Sequence, residues 1–173
     1  MELKTERLTL RRVAAEDWSA IQAIWADIAR SPYAQYDKPK DLADEAVRPR
    51  IARWASFSES REHLFFAVCL GGTVIGYIAL NRRPDSYEAG YCFHSSYHGK
   101  GYARESLASV LAYAKEQDLT ARITAGTALA NTPSVNLLTA LGFRLEGTET
   151  VSFYRDAEGH PIPLEGGIFV RDL

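Results

Sequence analysis

The sequence predicts an α+β domain in which helices cover both faces of a mixed, mostly antiparallel sheet. Three β-rich runs follow one another directly: HLFFAVCL, GTVIGYIAL and SYEAGYCFH, the first two joined as a hairpin through Gly71-Gly72. A helix–strand–helix segment follows, and two more β-rich runs end the chain. The resulting order, β-α-α-β-β-β-α-β-α-β-β, is typical of a sheet with helices packed on its faces.

The first third of the chain supplies one strand and two helices. Residues 2–13 alternate in polarity, which favours a single strand. Apolar side chains recur at spacings of three and four from Trp18 to Ile28, so one face of a helix is apolar. Residues 41–56 form a second predicted helix, in which Pro49 should cause a kink or a split because it removes a backbone donor.

The second half of the chain alternates helices and strands. Helical spacing, a proline in a first turn and a terminal glycine mark the helices, and β-branched runs mark the strands. The predicted elements are a helix over 102–117, a strand over 121–129, a helix over 132–141, and strands over 143–155 and 162–172.

Length, charge and cysteine content exclude several classes of protein. A chain of 173 residues can bury a sizeable core without a metal or disulfide, so we expect residues 1–173 to form a single domain. A net charge of −2 gives no general attraction to nucleic acid or to an anionic membrane. Cys69 and Cys92 are typical of reduced thiols, and the N-terminus lacks a signal peptide, which predicts a cytoplasmic protein.

The segment FHSSYHGKGYARES, residues 93–106, carries the strongest chemical signal. Gly99 and Gly101 precede a helix whose first N–H groups have no intrahelical partner, and Lys100 and Arg104 add positive charge. This pattern predicts a diphosphate site. A P-loop is excluded because no Ser or Thr follows Lys100, and a dinucleotide fold because the third small residue of Gly-x-Gly-x-x-Gly is missing after Gly101. Taken alone, a Gly-x-Gly of this kind is more often a simple glycine turn before a helix.

Two motifs at the right spacing resemble the GNAT superfamily of acetyl-CoA-dependent N-acetyltransferases. HGKGYA resembles that family's pyrophosphate loop, Gln/Arg-x-x-Gly-x-Gly/Ala, with His98 in place of the usual first residue and with Gly101 and Ala103 matching. NTPSVNLLTALGF is similar to the family's Asn-x-x-Ser/Ala…Leu-Gly-Phe helix. EAGYCF and the opening LKTERLTLRR are similar to the branch that includes ribosomal-protein N-terminal acetyltransferases, so the resemblance spans the chain.

The resemblance implies the GNAT fold, with acetyl-CoA as co-substrate and no metal. It implies that loop N–H groups bind the pyrophosphate and that the backbone of Cys92 and Phe93 pairs with the pantetheine arm. Asn131 would face the pantetheine or the adenine, and Ser134 would lie near the sulfur. The implied cofactor-binding residues are Cys92, Phe93, His98, Gly99, Lys100, Gly101, Tyr102, Ala103, Arg104, Asn131 and Ser134.

Direct acetyl transfer to a primary amine, on a protein N-terminus or a small molecule, is the activity that the resemblance implies. An amine must lose a proton before it attacks, and Glu88 is the candidate base, with His94 as a candidate acting through water. A solvated strand glutamate and a structural histidine are the alternatives. Many family members carry a tyrosine as thiolate acid where this chain has Leu138, which leaves Ser134, water or no acid.

Other expectations concern the acceptor and rival functions. Tyr33 and Tyr36 lie in the loop that covers the acceptor site in this family, and they are predicted to bind the substrate. A homodimer is possible, and no nucleic acid or membrane partner is expected. Two rival functions are an acyl-CoA-binding sensor or interaction module without catalysis, and a nucleotide-binding protein that uses the same loop.

Overall fold

The computed structural model describes all 173 residues, which form one eight-stranded sheet and four α-helices. Short 3₁₀ turns cover 15–17, 32–36 and 95–97. None of the helices is long and apolar enough to cross a membrane. In chain order the elements are β1 Glu2–Lys4, β2 Thr9–Arg12, α1 Trp18–Ala29, α2 Asp44–Ala55, β3 His63–Leu70, β4 Thr73–Arg83, β5 Ser86–Phe93, α3 Tyr102–Glu116, β6 Arg122–Ala128, α4 Thr132–Ala140, β7 Arg144–Arg155 and β8 Pro161–Asp172.

The sheet contains a single parallel pair at its centre. The strand order is β1-β2-β3-β4-β5-β6-β8-β7, and every neighbouring pair is antiparallel except β5 and β6. These two strands pair only at Tyr87↔Ile123 and Glu88↔Thr124, and then they separate. The separation leaves backbone groups of both strands without a sheet partner, at the place where the loop over residues 94–101 leaves β5.

Two hydrophobic clusters hold the helices on opposite faces of the sheet. One joins α3 and α4 to the sheet, with Phe66 and Leu107 fully buried, and the other joins α1 and α2, with Ile21 and Ile51 fully buried. Burying each such side chain stabilises the fold by about 1.5–3 kcal/mol. The predicted architecture, a mostly antiparallel sheet with helices on both faces, is therefore confirmed.

One local prediction is wrong, and one of the two alternatives stated for Pro49, the split, is excluded. The single strand over residues 2–13 is two strands, because Thr5 and Leu8 close a turn between β1 and β2. Thr5 N–H donates to Leu8 O at 2.9 Å, and Leu8 N–H donates to the Thr5 hydroxyl at 2.9 Å. The alternating polarity continues through this turn, so it did not reveal the break. The predicted helix with Pro49 is one continuous helix rather than two.

Candidate active site

A cavity of about 1230 Å³ lies where β5 and β6 separate, and its lining comes from both faces of the sheet. We call the part on the α3 and α4 face the loop half. It is lined by Gly99, Gly101, Tyr102, Ala103, Arg104, Asn131 and Ser134. We call the part on the α1 and α2 face the aromatic half. It is lined by Trp25, Tyr33, Tyr36, Trp54 and Tyr77.

The loop half offers a row of unpaired backbone donors. The N–H groups of residues 99–104 donate to no acceptor in the protein, and no side chain caps α3. Gly99 and Gly101 have φ values of 70° and 81°, in the left-handed region that disfavours other residues. The exposed Arg104 side chain has no carboxylate within 4.0 Å. Free N–H groups at a helix N-terminus with a nearby cation form an anion site.

A clamp from the β1–β2 turn holds this loop in place. Arg7 Nε donates to Glu105 Oε2 at 2.7 Å, and its Nη1 donates to Lys100 O at 3.0 Å. The Arg7 guanidinium also lies 4.5 Å from the centre of the Tyr102 ring. Thr5 donates a hydrogen bond to Glu105 as well. Burial by itself would raise the pKa of Glu105, but the bonds from Thr5 and Arg7 lower it below its ordinary value.

The register of β5 decides which peptide groups face the gap. His94 N–H donates to Ile75 O at 3.0 Å, and antiparallel strands alternate between bonded and non-bonded pairs. The peptide groups of Cys92 therefore point towards β4, and those of Tyr91 and Phe93 point towards the gap. The expectation that the Cys92 backbone is free to pair with an added strand in the gap is therefore wrong, and the peptide groups of Tyr91 face the gap instead. The Cys92 side chain still lines the cavity.

Two glycines open the sheet at the same level. Glu88 pairs with Thr124, so Gly90 and Gly126, each two residues further along its strand, occupy equivalent positions on the two separating strands. A Cβ built at either glycine would meet no atom within 4 Å. Side chains alternate along a strand, so residues 90 and 126 face the same side as Glu88 and Thr124, which is the aromatic face. Because both residues are glycines, no side chain fills that face here. The pair therefore leaves an opening between the two halves of the cavity.

Two hydroxyl groups meet on the other side of this opening. Tyr91 follows Gly90, and its side chain projects to the α3 and α4 face, where its Oη lies 2.7 Å from Ser134 Oγ. The pair joins β5 to α4 across the gap, and both residues line the cavity. Burial raises the pKa of Tyr91, and the Ser134 hydrogen bond offsets part of that rise. Both hydroxyls are therefore protonated at neutral pH.

Large rings form the aromatic half, together with the turn over residues 32–36. Trp54 stacks on Phe65 at 4.5 Å, and Trp25 Nε1 donates to Tyr77 Oη at 2.9 Å. Tyr154 Oη on β7 donates to Ala34 O at 2.9 Å and so ties the turn over residues 32–36 to the sheet. This half suits an apolar or aromatic body that carries a polar group.

Three carboxylates line the cavity, and their surroundings differ. Asp37 forms an ion pair with Lys40 at 2.5 Å. Glu88 accepts two hydrogen bonds from Arg83, both at Oε2, so its Oε1 has no protein partner. Glu149 is exposed and has no cation within 4.0 Å. Its Cγ leans over Gly166, at 3.6 Å from the position of a Cβ there, on the face that it shares with Glu88.

The cavity collects most of the residues predicted from the sequence. Two predicted residues lie outside its lining. His94 Nδ1 accepts from Ser96 N–H at 3.2 Å, and Lys100 Nζ donates to Ser96 O at 2.9 Å. Those that line it are Tyr33, Tyr36, Glu88, Cys92, Phe93, His98, Gly99, Gly101, Tyr102, Ala103, Arg104, Asn131 and Ser134.

Sequence reasoning missed Tyr91, Gly126 and Glu149. For Tyr91 a signal existed, since it shares the parity of Phe93 on the strand before the loop. Leu138 is fully buried in the core and does not line the cavity, whereas its neighbour Leu137 does. His98 replaces the loop's usual first residue, and its Nε2 lies 2.8 Å from Phe93 O, a distance at which the ring N–H donates to the carbonyl.

Comparisons with known proteins agree on one family. Residues 7–144 match the model of the acetyltransferase (GNAT) domain. The N-acetyltransferase p20 of Bacillus licheniformis is 28% identical over 165 residues, which cover 94% of this chain and 92% of that protein. The ribosomal-protein-S5-alanine acetyltransferase of Vibrio fischeri superposes with a TM-score of 0.83 at 19% identity, covering 99% of this chain and 96% of that one. The microcin C7 self-immunity acetyltransferase MccE, in complex with acetyl-CoA and AMP, gives 0.81 at 13% identity, covering 98% and 94%.

Proposed function

Because the chain belongs to the GNAT acetyltransferase family, we propose that it transfers an acetyl group from acetyl-CoA directly to a primary amine. The observation that carries this proposal is the cavity itself. It places unpaired N–H donors in one half and an aromatic pocket in the other, with an opening through the sheet between them.

The loop half supports the choice of acetyl-CoA as donor. A diphosphate needs several donors at once, and the N–H groups of residues 99–104 and the Arg104 guanidinium supply them. The peptide groups of Tyr91 and the N–H of Phe93, whose carbonyl already accepts from His98, suit an extended amide-containing arm, which would pair with β5 as an added strand does. Asn131 and Ser134 line the same half. The acetyl-CoA complex of MccE is consistent with this assignment.

Direct transfer is favoured over a covalent acyl-cysteine. Burial raises the pKa of Cys92 to about 11, so this residue is a neutral thiol at pH 7 and a poor nucleophile. In direct transfer the amine nitrogen bonds to the thioester carbon, the C–S bond breaks, and the surplus proton of the amine must leave. The N–H groups that β5 turns towards the gap, such as that of Tyr91, suit the oxyanion of the tetrahedral intermediate.

Glu88 remains the candidate for removing that proton. It lies on the aromatic face, one step before the Gly90–Gly126 opening, and its Oε1 is free to accept a hydrogen bond. Arg83 fixes the carboxylate through Oε2. His94 lies against Asp27, with its Nε2 3.7 Å from Asp27 Oδ1, so a role for His94 would need water between it and the cavity.

The aromatic half favours an amine attached to an apolar or aromatic group. Tyr33 and Tyr36 line this half from the turn over residues 32–36, which the Tyr154 hydrogen bond ties to the sheet. A small molecule fits that description, and so does the first residue of an extended protein N-terminus. Relatives named for ribosomal-protein alanine and for microcin C7 suggest that the fold serves both classes of acceptor.

The decisive experiment measures CoA release from acetyl-CoA against a panel of amines. The panel contains arylalkylamines, aliphatic amines, polyamines and short peptides that begin with Ala or Ser. We expect turnover above the hydrolytic background for aromatic amines or for peptides. Binding of CoA without turnover on any amine would favour the sensor or interaction module, and binding of ATP without any response to CoA would favour a nucleotide site.

A further inference from the structure

The acetyl transfer proposed above needs a proton for the departing sulfur, and the family's usual residue is absent here. Breaking the C–S bond leaves a thiolate, which departs more readily when a hydroxyl protonates it. Leu138 stands where that hydroxyl is expected, and it is fully buried away from the cavity. A proton donor must therefore come from elsewhere in the site.

The position of the sulfur follows from the opening in the sheet. An amine in the aromatic half meets a thioester in the loop half only where the cavity passes between β5 and β6. Gly90 and Gly126 mark that passage, because neither has a neighbouring atom within 4 Å of its Cβ position. The bond to the amine forms on the aromatic side, so the sulfur departs towards the loop half.

The Tyr91–Ser134 hydroxyl pair stands on that departing side. Tyr91 is the residue after Gly90, with its side chain on the opposite face from the amine, and its Oη lies 2.7 Å from Ser134 Oγ. We propose that this pair is the proton donor to the thiolate, with one hydroxyl facing the sulfur and the other relaying the proton. This inference rests on the proposed function.

The proton balance of the step is complete without another reactant. The electrons of the C–S bond go to sulfur, which takes a proton from the hydroxyl pair and leaves as the free thiol of CoA. The amine's surplus proton goes to Glu88 or to water, and solvent returns a proton to the pair. The proton donor thus combines a hydroxyl from the strand, Tyr91, with one from the first turn of α4, Ser134.

The test combines hydroxyl removal with a change of leaving group. Tyr91→Phe, Ser134→Ala and the double variant are assayed with acetyl-CoA and with the acetyl ester of seleno-CoA, whose selenolate departs without protonation. With acetyl-CoA, kcat should fall by roughly 10²-fold in each single variant. The double variant should lose little more, because the two hydroxyls act as one unit. With the seleno donor, all three variants should approach the wild-type rate.

Tyr113→Phe is the matched control, because Tyr113 is a partly buried tyrosine on α3 that does not line the cavity. It should behave as the wild type with both donors. A Tyr91→Phe variant that melts normally and keeps the wild-type kcat with acetyl-CoA overturns the proposal. An equal loss with both donors also overturns it, since that result marks a structural role. Failure of the proposed function is distinct, because the wild-type protein would then turn over neither donor.

Discussion

The two halves of the cavity are built on different principles. The loop half is made largely of backbone donors from one continuous segment, residues 99–104, with a single α-helix behind them. The aromatic half is made of side chains from α1, α2, β4 and the turn over residues 32–36, which meet only in the folded chain. Recognition by backbone leaves a local trace in the sequence, as glycines before a helix. Recognition by side chains depends on residues that are far apart in the sequence. The acetyl donor can therefore be predicted from the sequence, and the amine acceptor cannot.

The largest expected effect comes from placing a carboxylate in the loop half. Gly101→Glu puts a negative charge against the diphosphate, so CoA should no longer raise the melting temperature. For the wild type at a hundredfold excess over Kd, we expect about 2.7 kcal/mol of stabilisation, or roughly 5–10 °C in Tm. Scanning fluorimetry with and without CoA measures both.

Gly159→Glu is the control for backbone strain in this pair. Gly159 has a φ of 85°, close to the 81° of Gly101, and it lies in the β7–β8 turn away from the cavity. The control should lose a similar amount of basal stability and keep its full response to CoA. An undiminished CoA response in Gly101→Glu would contradict the assignment of the loop half.

The next effect distinguishes the roles of two carboxylates on the aromatic face of the cavity, Glu88 and Glu149. Glu88→Gln should lower kcat by roughly 10²–10⁴-fold with little change in CoA affinity, because it removes the proton acceptor and keeps its shape. Glu149→Gln should instead raise the KM for the amine, because an unpaired carboxylate attracts an ammonium group. Steady-state kinetics with one confirmed amine measures both changes.

The reverse outcome would reassign the roles of these residues. A large kcat loss in Glu149→Gln, with Glu88→Gln near the wild type, would make Glu149 the proton acceptor and Glu88 an ion-paired strand residue. The dependence of the KM for the amine on salt concentration offers a further check, because salt weakens the attraction between an exposed carboxylate and an ammonium group. Only the Glu149 variant should lose that dependence.

The smallest expected effect concerns the clamp on the loop half. Glu105→Gln removes the charged partner of Arg7, and CoA should bind about tenfold more weakly, the equivalent of about 1.4 kcal/mol. The pKa of Glu105 is lowered, so its carboxylate stays charged above the ordinary glutamate value of about 4.3, and its contribution is lost as the pH falls through the lowered value. The deficit should therefore be constant between roughly pH 6 and 8.

Glu116→Gln serves as the control, because Glu116 is an exposed carboxylate at the far end of the same helix, with no ion pair. Titration calorimetry with CoA compares the variants. Equal CoA affinity in Glu105→Gln and the wild type would show that the loop holds its shape without the clamp.

Sequence reasoning succeeded where a pattern is local and failed where the fold creates it. The helices that end at Glu116 and Ala140, and the strands beside them in the chain, were predictable, because periodicity, glycine and proline mark them directly. The break between Thr5 and Leu8 was not, because a side-chain hydrogen bond closes the turn without a glycine or a proline. For β5, strand parity already linked Tyr91 to Phe93, but only the register against β4 shows that these two residues, and not Cys92, turn their peptide groups towards the gap.

The opening between Gly90 and Gly126 has a kinetic consequence. In the proposed acetyl transfer the two reactants approach from opposite faces of the sheet, so either can bind or dissociate while the other stays in place. Double-reciprocal plots should therefore intersect, as in a ternary-complex mechanism of random order, and should not run parallel. Free CoA should compete with acetyl-CoA alone, and the acetylated product with the amine alone. In this proposal the sheet separates two binding sites, the loop half and the aromatic half, which fill independently, and transfer occurs only when both are occupied.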